Sequence, residues 1–331
     1  MENTSVNNED APTRILPFQF FGQGREYFRI WIVNILLTIL TLGIYSAWAK
    51  VRNHRYFYGN TQLEGHSFEY LASPVAILKG RLIAVGFLIL YLLSDQFMPM
   101  LSILLFIIFI AALPWLVCRA MAFRNYHSRY RNIRFGFDGK YLDAFKAFVL
   151  WPLAAILTLG ILFPMAIYRQ KQFLVSNTRY GSRHFLPAFE LGNFYVIYFV
   201  AMGIVIVGLL MLLIPFLGPL LTMLAYLLAY AFVSAKSSNL IYNGSSLLRH
   251  GFDSRLEPVR LAYIYFTNML IIVFTLGLGI PWAKVRLARY RAECLSFRAE
   301  GSLDGFIAAE DRRTSALGEE LGEAFDVGVG L

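Results

Sequence analysis

Aromatic and basic residues cluster at the ends of apolar segments in this sequence. The residues that could bind an anionic headgroup or an anionic solute are Trp48, Lys50, Arg52, Arg55, Arg169, Trp282, Lys284, Arg286 and Arg289. Arg52 and Arg55 are three residues apart and so share one face of a helix. Paired guanidinium groups bind phosphate or carboxylate. The more frequent use of such residues is anchoring an apolar helix at the level of the lipid headgroups.

Two asparagines, Asn34 and Asn268, lie inside apolar stretches of the chain. Burying an amide costs free energy unless it is hydrogen-bonded. The two side chains therefore either hold neighbouring helices together, which is the common role of polar residues in membrane bundles, or line a polar pathway. The sequence leaves both alternatives open.

Patterns typical of catalysis or metal binding are poorly represented. The five histidines are scattered through basic loops, and none has the spacing of a zinc protease. The two cysteines, Cys118 and Cys294, have neither a metal-binding nor a redox spacing. The sequence contains no nucleophile elbow and no P-loop. It predicts a protein that is not an enzyme and that holds no metal and no cofactor.

The composition is that of a membrane protein. Of the 331 residues, 57% are hydrophobic and only 15% are charged, compared with about 25% charged in soluble domains. Seven hydrophobic segments can be marked at 28–49, 79–95, 97–118, 145–168, 194–214, 216–235 and 260–283. Segments of this length predict helices that enter a bilayer. We therefore predict an all-α, multi-pass membrane protein.

The triplet Thr-Leu-Gly occurs at 41–43, 158–160 and 275–277, with a constant spacing of 117 residues. This spacing predicts an internal repeat in which a segment carrying the triplet, termed an A segment, alternates with an apolar hairpin. The order is A-hairpin-A-hairpin-A. The predicted parts are a polar disordered tail at 1–16, a membrane domain at 17–298 with units at 17–133, 134–250 and 251–298 (partial), and an acidic disordered tail at 299–331.

Whether the A segments cross the membrane stays open. Each has about 20 apolar residues, which is long enough to span. However, the hairpin tips at 94–100 and 213–219 contain neither Lys nor Arg. If the A segments do not cross, all 30 basic residues lie on one side, as the positive-inside rule favours. Short β hairpins at 60–70 and 177–185 are a further expectation.

The repeated residues also carry a family resemblance. The matching block comprises Phe20-Phe21-Gly22, Asn34, the run from Leu40 to Arg52, and Arg55-Tyr56-Phe57. It resembles the YjgN-like family of bacterial inner-membrane proteins (domain of unknown function 898) over roughly residues 17–298. The second repeat departs from the pattern, because Met165 to Arg169 lacks the Trp and the Lys. The resemblance implies a multi-pass protein of the bacterial inner membrane and implies no activity.

Two hypotheses for function follow from the sequence. The first is a passive or weakly coupled transporter or channel, since repeats with odd numbers of crossings are common in transporters. The second is a lipid-binding or structural scaffold, since the basic excess of +9 favours membrane lipids with anionic headgroups as partners rather than nucleic acid. A homo-oligomer and a cytoplasmic C-terminal tail are further expectations.

Overall fold

The computed structural model describes residues 13–301 and residues 305, 307, 308, 310, 312 and 313. The described helices are α1 (Gly24–Leu40), α2 (Ser46–Gly59), α3 (Pro74–Phe97), α4 (Pro99–Tyr126), α5 (Tyr141–Phe145), α6 (Trp151–Leu157), α7 (Phe163–Ser176), α8 (Leu191–Leu210), α9 (Gly218–Asn243), α10 (Pro258–Phe274) and α11 (Ile280–Glu293). A π-helical turn, Lys146–Leu150, joins α5 to α6. The two predicted tails lie largely outside the described residues.

The strands form one sheet, so the predicted all-α class is wrong. They are β1 (Thr13–Phe20), β2 (Thr61–Leu63), β3 (His66–Tyr70), β4 (Ser128–Tyr130), β5 (Ile133–Phe137), β6 (Thr178–Tyr180), β7 (Arg183–His184), β8 (Leu186–Pro187), β9 (Ser245–Leu247), β10 (His250–Ser254) and β11 (Leu295–Glu300). Most have five residues or fewer, and such short strands show little apolar alternation in a sequence. Their stability comes from partners far away in the chain.

The antiparallel sheet is nearly closed into a barrel. Its order is β7-β6-β5-β4-β3-β2-β1-β11-β10-β9-β8, and Phe185 alone separates the two end strands in the chain. Two-residue turns fix the local registers: Glu64 and Gly65 join β2 to β3 with φ values of 49° and 75°. Positive φ at both central positions is typical of the type I′ hairpin, whose twist matches that of the strands.

Aromatic and aliphatic side chains fill the barrel. A buried core of Leu16, Leu63, Tyr130, Ile133, Tyr180, Leu247, Phe297, Ala299 and Ile307 packs against five partly buried phenylalanines, Phe18, Phe68, Phe135, Phe185 and Phe252. Three of these phenylalanines, on β1, β5 and β10, are spaced by 117 residues. The barrel therefore has an apolar lumen built from equivalent positions along the chain.

Four of the described helices, α3, α4, α8 (with a 3₁₀ turn that extends it to Leu213) and α9, are long and apolar enough to cross a membrane. They form two antiparallel hairpins, α3 with α4 and α8 with α9. Their side chains are mostly exposed to the surroundings, as expected for helices that face lipid. Four of the seven predicted hydrophobic segments thus correspond to these helices, and a count of seven spanning segments is not supported.

The three A segments are helix–turn–helix hairpins. In each, the Thr-Leu-Gly triplet separates two helices of at most 17 residues that pack against each other: α1 and α2, α6 and α7, and α10 and α11. The triplet leucines Leu42, Leu159 and Leu276 are 95%, 96% and 93% exposed. Both legs of each hairpin connect to the sheet, so each A segment returns to the side of the molecule from which it starts.

Ten of the eleven described helices form a closed ring above the barrel, and α6 packs against α7. Neighbours contact each other in the order α1, α2, α3, α4, α5, α7, α8, α9, α10 and α11, and α11 contacts α1 again. Each helical hairpin starts from a strand and ends at a strand. The ring and the barrel therefore share one axis.

Candidate functional site

In the first A segment, Arg52 lies between the two legs of the hairpin. Its guanidinium donates to Asn34 Oδ1 at 3.3 Å and to the Tyr45 hydroxyl at 3.1 Å. Asn34 is buried and donates to Asn53 Oδ1 at 3.2 Å. Because the contacts of Asn34 with Arg52 and Asn53 join α1 to α2, the predicted intramembrane asparagine holds two helix legs together here.

The third A segment uses the corresponding residues in a similar way. Arg286 donates to Thr267 Oγ1 at 2.6 Å and lies 5.7 Å from the centre of the Tyr263 ring. Asn268 donates to the Ala283 carbonyl at 3.2 Å, while its Oδ1 atom is buried without a hydrogen-bond partner within the described residues. The Asn side chain again joins the two legs of its hairpin.

The other two predicted arginines connect the helices to neighbouring elements. Arg55 donates from Nε to the Tyr70 carbonyl at 3.3 Å, and Arg289 donates to the Gly22 carbonyl at 3.0 Å. Arg52 and Arg55 thus donate to different elements, although they are one helical turn apart. The structure does not bring them together on one ligand.

The predicted tryptophans and lysines lie at the outer surface of the ring. Trp48 stacks on Tyr45 with the ring centres 6.1 Å apart, and Trp282 packs on Phe28 with a separation of 5.1 Å. Lys50 and Lys284 are exposed. This is the arrangement expected for side chains that hold a helix at a membrane interface.

Arg169 lines a polar pocket of about 550 Å³ in the second A segment. The pocket is lined by Asp143, Lys146, Ala147, Trp151, Arg169, Gln172, Phe173, Ser176, Asn177 and Pro187. The guanidinium donates to Gln172 Oε1 at 3.1 Å and lies 5.6 Å from the centre of the Trp151 ring, and its Nε atom is buried without a hydrogen-bond partner within the described residues. π-Helical turns often occur at functional sites, and here the turn carries Lys146 into the pocket.

Sequence reasoning found Arg169 but missed the other residues of this pocket. The second A segment lacks the Trp-Ala-Lys-Val-Arg run, so no motif in the sequence marks these residues as part of a site. Lys146 and Trp151 come from the opposite leg of the hairpin. Only the pairing of α5 and α6 with α7 places them beside Arg169.

A second cavity of about 450 Å³ lies on the axis, between the ring and the barrel. It is lined by Phe18, Phe57, Tyr58, Thr61, Phe68, Arg124, Asn125, Ser128, Phe135, Ala288, Arg291, Ala292 and Leu295. Two of these residues, Arg124 on α4 and Arg291 on α11, carry a positive charge. Sequence reasoning missed both, since each is one of many basic residues near the end of a helix.

The axial cavity adjoins the apolar lumen of the barrel. A cavity of about 300 Å³ in the lumen shares Phe18, Phe68, Phe135 and Leu295 with it. The lumen cavity is lined otherwise by Leu, Ile, Phe and Tyr side chains. Within the described residues, no group of three or more His, Cys, Asp or Glu side chains is placed to hold a metal ion.

Comparison with known proteins identifies the family. The family model described as "Bacterial protein of unknown function (DUF898)" matches residues 15–324. The chain belongs to this family. The DUF898 chain is also similar to "Inner membrane protein YjgN" of Escherichia coli K12, with 28% identity over 48% of this chain and 39% of the relative. The protein of the same name from Salmonella typhimurium is 31% identical over 41% of this chain and 34% of the relative.

The matched region thus spans about two fifths or less of the length of these relatives. No solved structure matches the chain. The family, the inner-membrane relatives and the four apolar helices together identify this DUF898 chain as a membrane protein of unknown function.

Proposed function

We propose that this DUF898 protein is a lipid-binding scaffold of the bacterial inner membrane, without transport or catalysis, that binds anionic headgroups around its perimeter. The observation that carries the proposal is that each A segment is a hairpin with both legs connected to the sheet. Because each is a hairpin, the basic and aromatic residues of all three lie near the sheet, at one level of the molecule. A single ring of positive charge at headgroup depth attracts anionic lipids.

The polar pocket at Arg169 supports the proposal. It combines Arg169 and Lys146 with a Trp ring and hydrogen-bonding side chains, including Gln172 and Ser176. Phosphate groups bind such combinations of charge and donors well. The single carboxylate, Asp143, lies 4.0 Å from Lys146 Nζ in an exposed ion pair, which contributes little to stability.

The proposed orientation places the sheet and both termini in the cytoplasm. With hairpin A segments, the chain crosses the membrane four times, through α3, α4, α8 and α9. The tips at residues 94–100 and 213–219 then lie on the outside, and all 30 Lys and Arg residues lie on the other side. The positive-inside rule assigns the basic side to the cytoplasm.

The proposed scaffold is built from an internal repeat. The three triplets share backbone angles: the leucines have φ values of 48°, 52° and 50°, and the glycines have φ values of 92°, 91° and 91°. The helices on either side of each triplet, and the strands that follow, recur at the same spacing of 117 residues. These agreements support a duplicated unit, because so many positions coincide at one spacing.

The test is the lipid content of the purified protein. A triple variant Arg52→Gln, Arg169→Gln, Arg286→Gln removes the three equivalent arginines. Since each basic residue near a membrane surface contributes about 1 kcal/mol, we expect the ratio of co-purified phosphatidylglycerol to phosphatidylethanolamine to fall at least about fivefold. The matched control is a second triple variant, Arg14→Gln, Arg129→Gln, Arg255→Gln. Arg14 lies on β1, Arg129 lies on β4, and Arg255 directly follows β10. An unchanged ratio in the first variant refutes the proposal.

Transport is the second candidate function. The observation that favours it is the axial cavity, which is lined by residues of α2, α4 and α11 and of the sheet. A passive or weakly coupled carrier would move radiolabelled organic anions into vesicles that contain the purified protein. The scaffold proposal expects the same flux as in vesicles without protein.

A further inference from the structure

The axial cavity and the lumen cavity share four lining residues, and this adjoining pair, termed the compartment, has two different ends. The end within the barrel is apolar and is lined by side chains such as Leu63, Phe135, Leu247 and Phe252. The end towards the helix ring contains the two arginines, Arg124 and Arg291. A compartment with an apolar end and a positively charged end matches an amphiphile with an anionic head.

The charge in this compartment is not balanced from within. Among the described residues that line the two cavities, none is Asp or Glu. Arg124 forms no ion pair with any described residue, and Arg291 has a long contact of 3.4 Å with the Tyr265 hydroxyl. Arg124 and Arg291 are both exposed, so their guanidinium groups are accessible to an anion that enters the axial cavity.

The neighbouring polar groups are already engaged with the protein. Asn125 donates to the Gly136 carbonyl at 3.0 Å, and Ser128 donates to the Arg124 carbonyl at 2.9 Å. The two guanidinium groups therefore remain as the principal donors for a ligand. Two such groups suit a small head with a single anionic centre, such as a carboxylate.

We infer that this compartment binds one long-chain fatty acid anion, with its carboxylate at Arg124 and Arg291 and its chain in the barrel lumen. The inference rests on the proposed lipid-binding function and assigns it a second site, distinct from the perimeter. The volumes of about 450 Å³ and about 300 Å³ accommodate one acyl chain and are too small for a whole diacyl phospholipid. Burial of each methylene group in the lumen adds to affinity.

Binding is measured with the protein in nanodiscs that contain phosphatidylcholine alone, using dansylaminoundecanoic acid as a fluorescent probe. We expect palmitate to displace the probe more strongly than dodecanoate, and dodecanoate more strongly than octanoate, because longer chains fill more of the lumen. Methyl palmitate is expected to bind at least about tenfold more weakly than palmitate, since it lacks the charge that pairs with the arginines.

Two variants locate the site. Arg124→Gln with Arg291→Gln should weaken palmitate binding at least about tenfold, while the control Arg29→Gln with Arg119→Gln removes two exposed charges elsewhere and should bind as the unmodified protein does. Leu295→Trp should abolish binding by filling the junction of the two cavities. The chain-length series on the unmodified protein keeps the test valid if a variant fails to fold.

Several results would overturn the inference. One is equal affinity for palmitate and its methyl ester, and another is equal binding by the Arg124/Arg291 variant and its control. Tighter displacement by lysophosphatidate or by diacyl phosphatidylglycerol would show that the carboxylate or the single chain was assigned wrongly. The perimeter variant at Arg52, Arg169 and Arg286 should retain palmitate binding, so failure of the perimeter proposal and failure of this one give different results.

Discussion

The hydroxyl of Thr275 accepts a hydrogen bond of 2.7 Å from the backbone N–H of Gly279, across the tip of the third A segment. The same hydroxyl donates to the Ile271 carbonyl at 2.6 Å. Thr41 and Thr158 make the corresponding pairs of hydrogen bonds in the other two hairpins. Unpaired backbone groups are costly where water is excluded, and each Thr side chain satisfies backbone groups at a sharp turn.

The glycine that follows each turn leucine should be sensitive to substitution. Gly160 has a φ of +91°, and a Cβ atom there would meet no other atom within 4 Å. Any effect of Gly160→Ala therefore comes from the backbone angle alone. We expect a loss of about 1–2 kcal/mol in the free energy of unfolding, measured by denaturant titration in detergent.

Gly86→Ala is the matched control for this substitution. Gly86 lies within α3 and also has open space around its Cβ position, and its φ is not positive. Alanine favours a helix over glycine, so we expect a gain of roughly 0.5–1 kcal/mol. If both variants shift the free energy of unfolding in the same direction, this account of the turn is wrong.

Cysteine labelling can determine the side of the membrane on which each loop lies. His66 and His184 are exposed residues of β3 and β7 in the same sheet. In a background with Cys118→Ser and Cys294→Ser, we expect His66→Cys and His184→Cys to be protected from a membrane-impermeant maleimide in intact cells and labelled after lysis. Gln96→Cys, at a hairpin tip, should be labelled in intact cells.

Labelling of His66→Cys and His184→Cys from opposite sides would contradict the hairpin structure of the A segments. An A segment that crosses the membrane must place these two positions on different sides. Labelling of both positions from outside would be consistent with the hairpins but would show that the orientation is opposite to the one proposed.

The barrel should lose stability in mild acid because of His250. This side chain is buried against Phe297, and its Nδ1 atom accepts a hydrogen bond from the Glu300 N–H at 3.2 Å. Burial lowers the pKa of His250 from 6.5, and the nearby Glu300 only partly offsets this effect. The unfolded chain therefore takes up a proton first, so stability is complete above about pH 6.5 and falls as the pH drops towards the lowered pKa.

The free energy of unfolding as a function of pH checks this prediction. His250→Gln should flatten the decrease below about pH 6.5. His66→Gln, at an exposed position, should leave the decrease unchanged. A steeper decrease in the His250 variant would contradict the prediction.

Glu310 should anchor the segment that follows the sheet. Its side chain is 2% exposed, accepts a hydrogen bond from the Ser182 N–H and lies 3.7 Å from Arg183 Nε. Charge-assisted hydrogen bonds of this kind contribute about 1.5–3 kcal/mol. Glu310→Ala should therefore speed tryptic cleavage at the exposed Arg312 and Arg313 at least about tenfold, as followed by mass spectrometry. Glu293→Ala, at an exposed position, should leave the cleavage rate unchanged.

The sequence predicted the family and the membrane class. It left open whether the A segments span, because their length favoured crossing while the distribution of Lys and Arg favoured return. The structure shows each A segment as a helical hairpin, the form that the charge distribution favoured. A Thr hydroxyl satisfies backbone groups at each turn, and residue spacing alone does not reveal that bond.

The barrel could not be predicted from local patterns. The expected hairpins at 60–70 and 177–185 contain strands, but each is a small part of one sheet whose other strands come from distant parts of the chain. The arginines of the axial cavity were missed for the same reason. Arg124 and Arg291 are 167 positions apart in the sequence, and only the closed ring of helices directs both to the axis.

The pairing of β1 with β11 sets the order in which this protein can be assembled. Thr13 lies opposite Glu300, so β1 pairs with a strand that leaves the ribosome almost 300 residues later. The apolar hairpins can enter the bilayer during synthesis, whereas the barrel closes only after translation has passed β11. Such distant pairings form slowly. Until then β1 has one exposed edge, which a chaperone or the insertion machinery would have to shield.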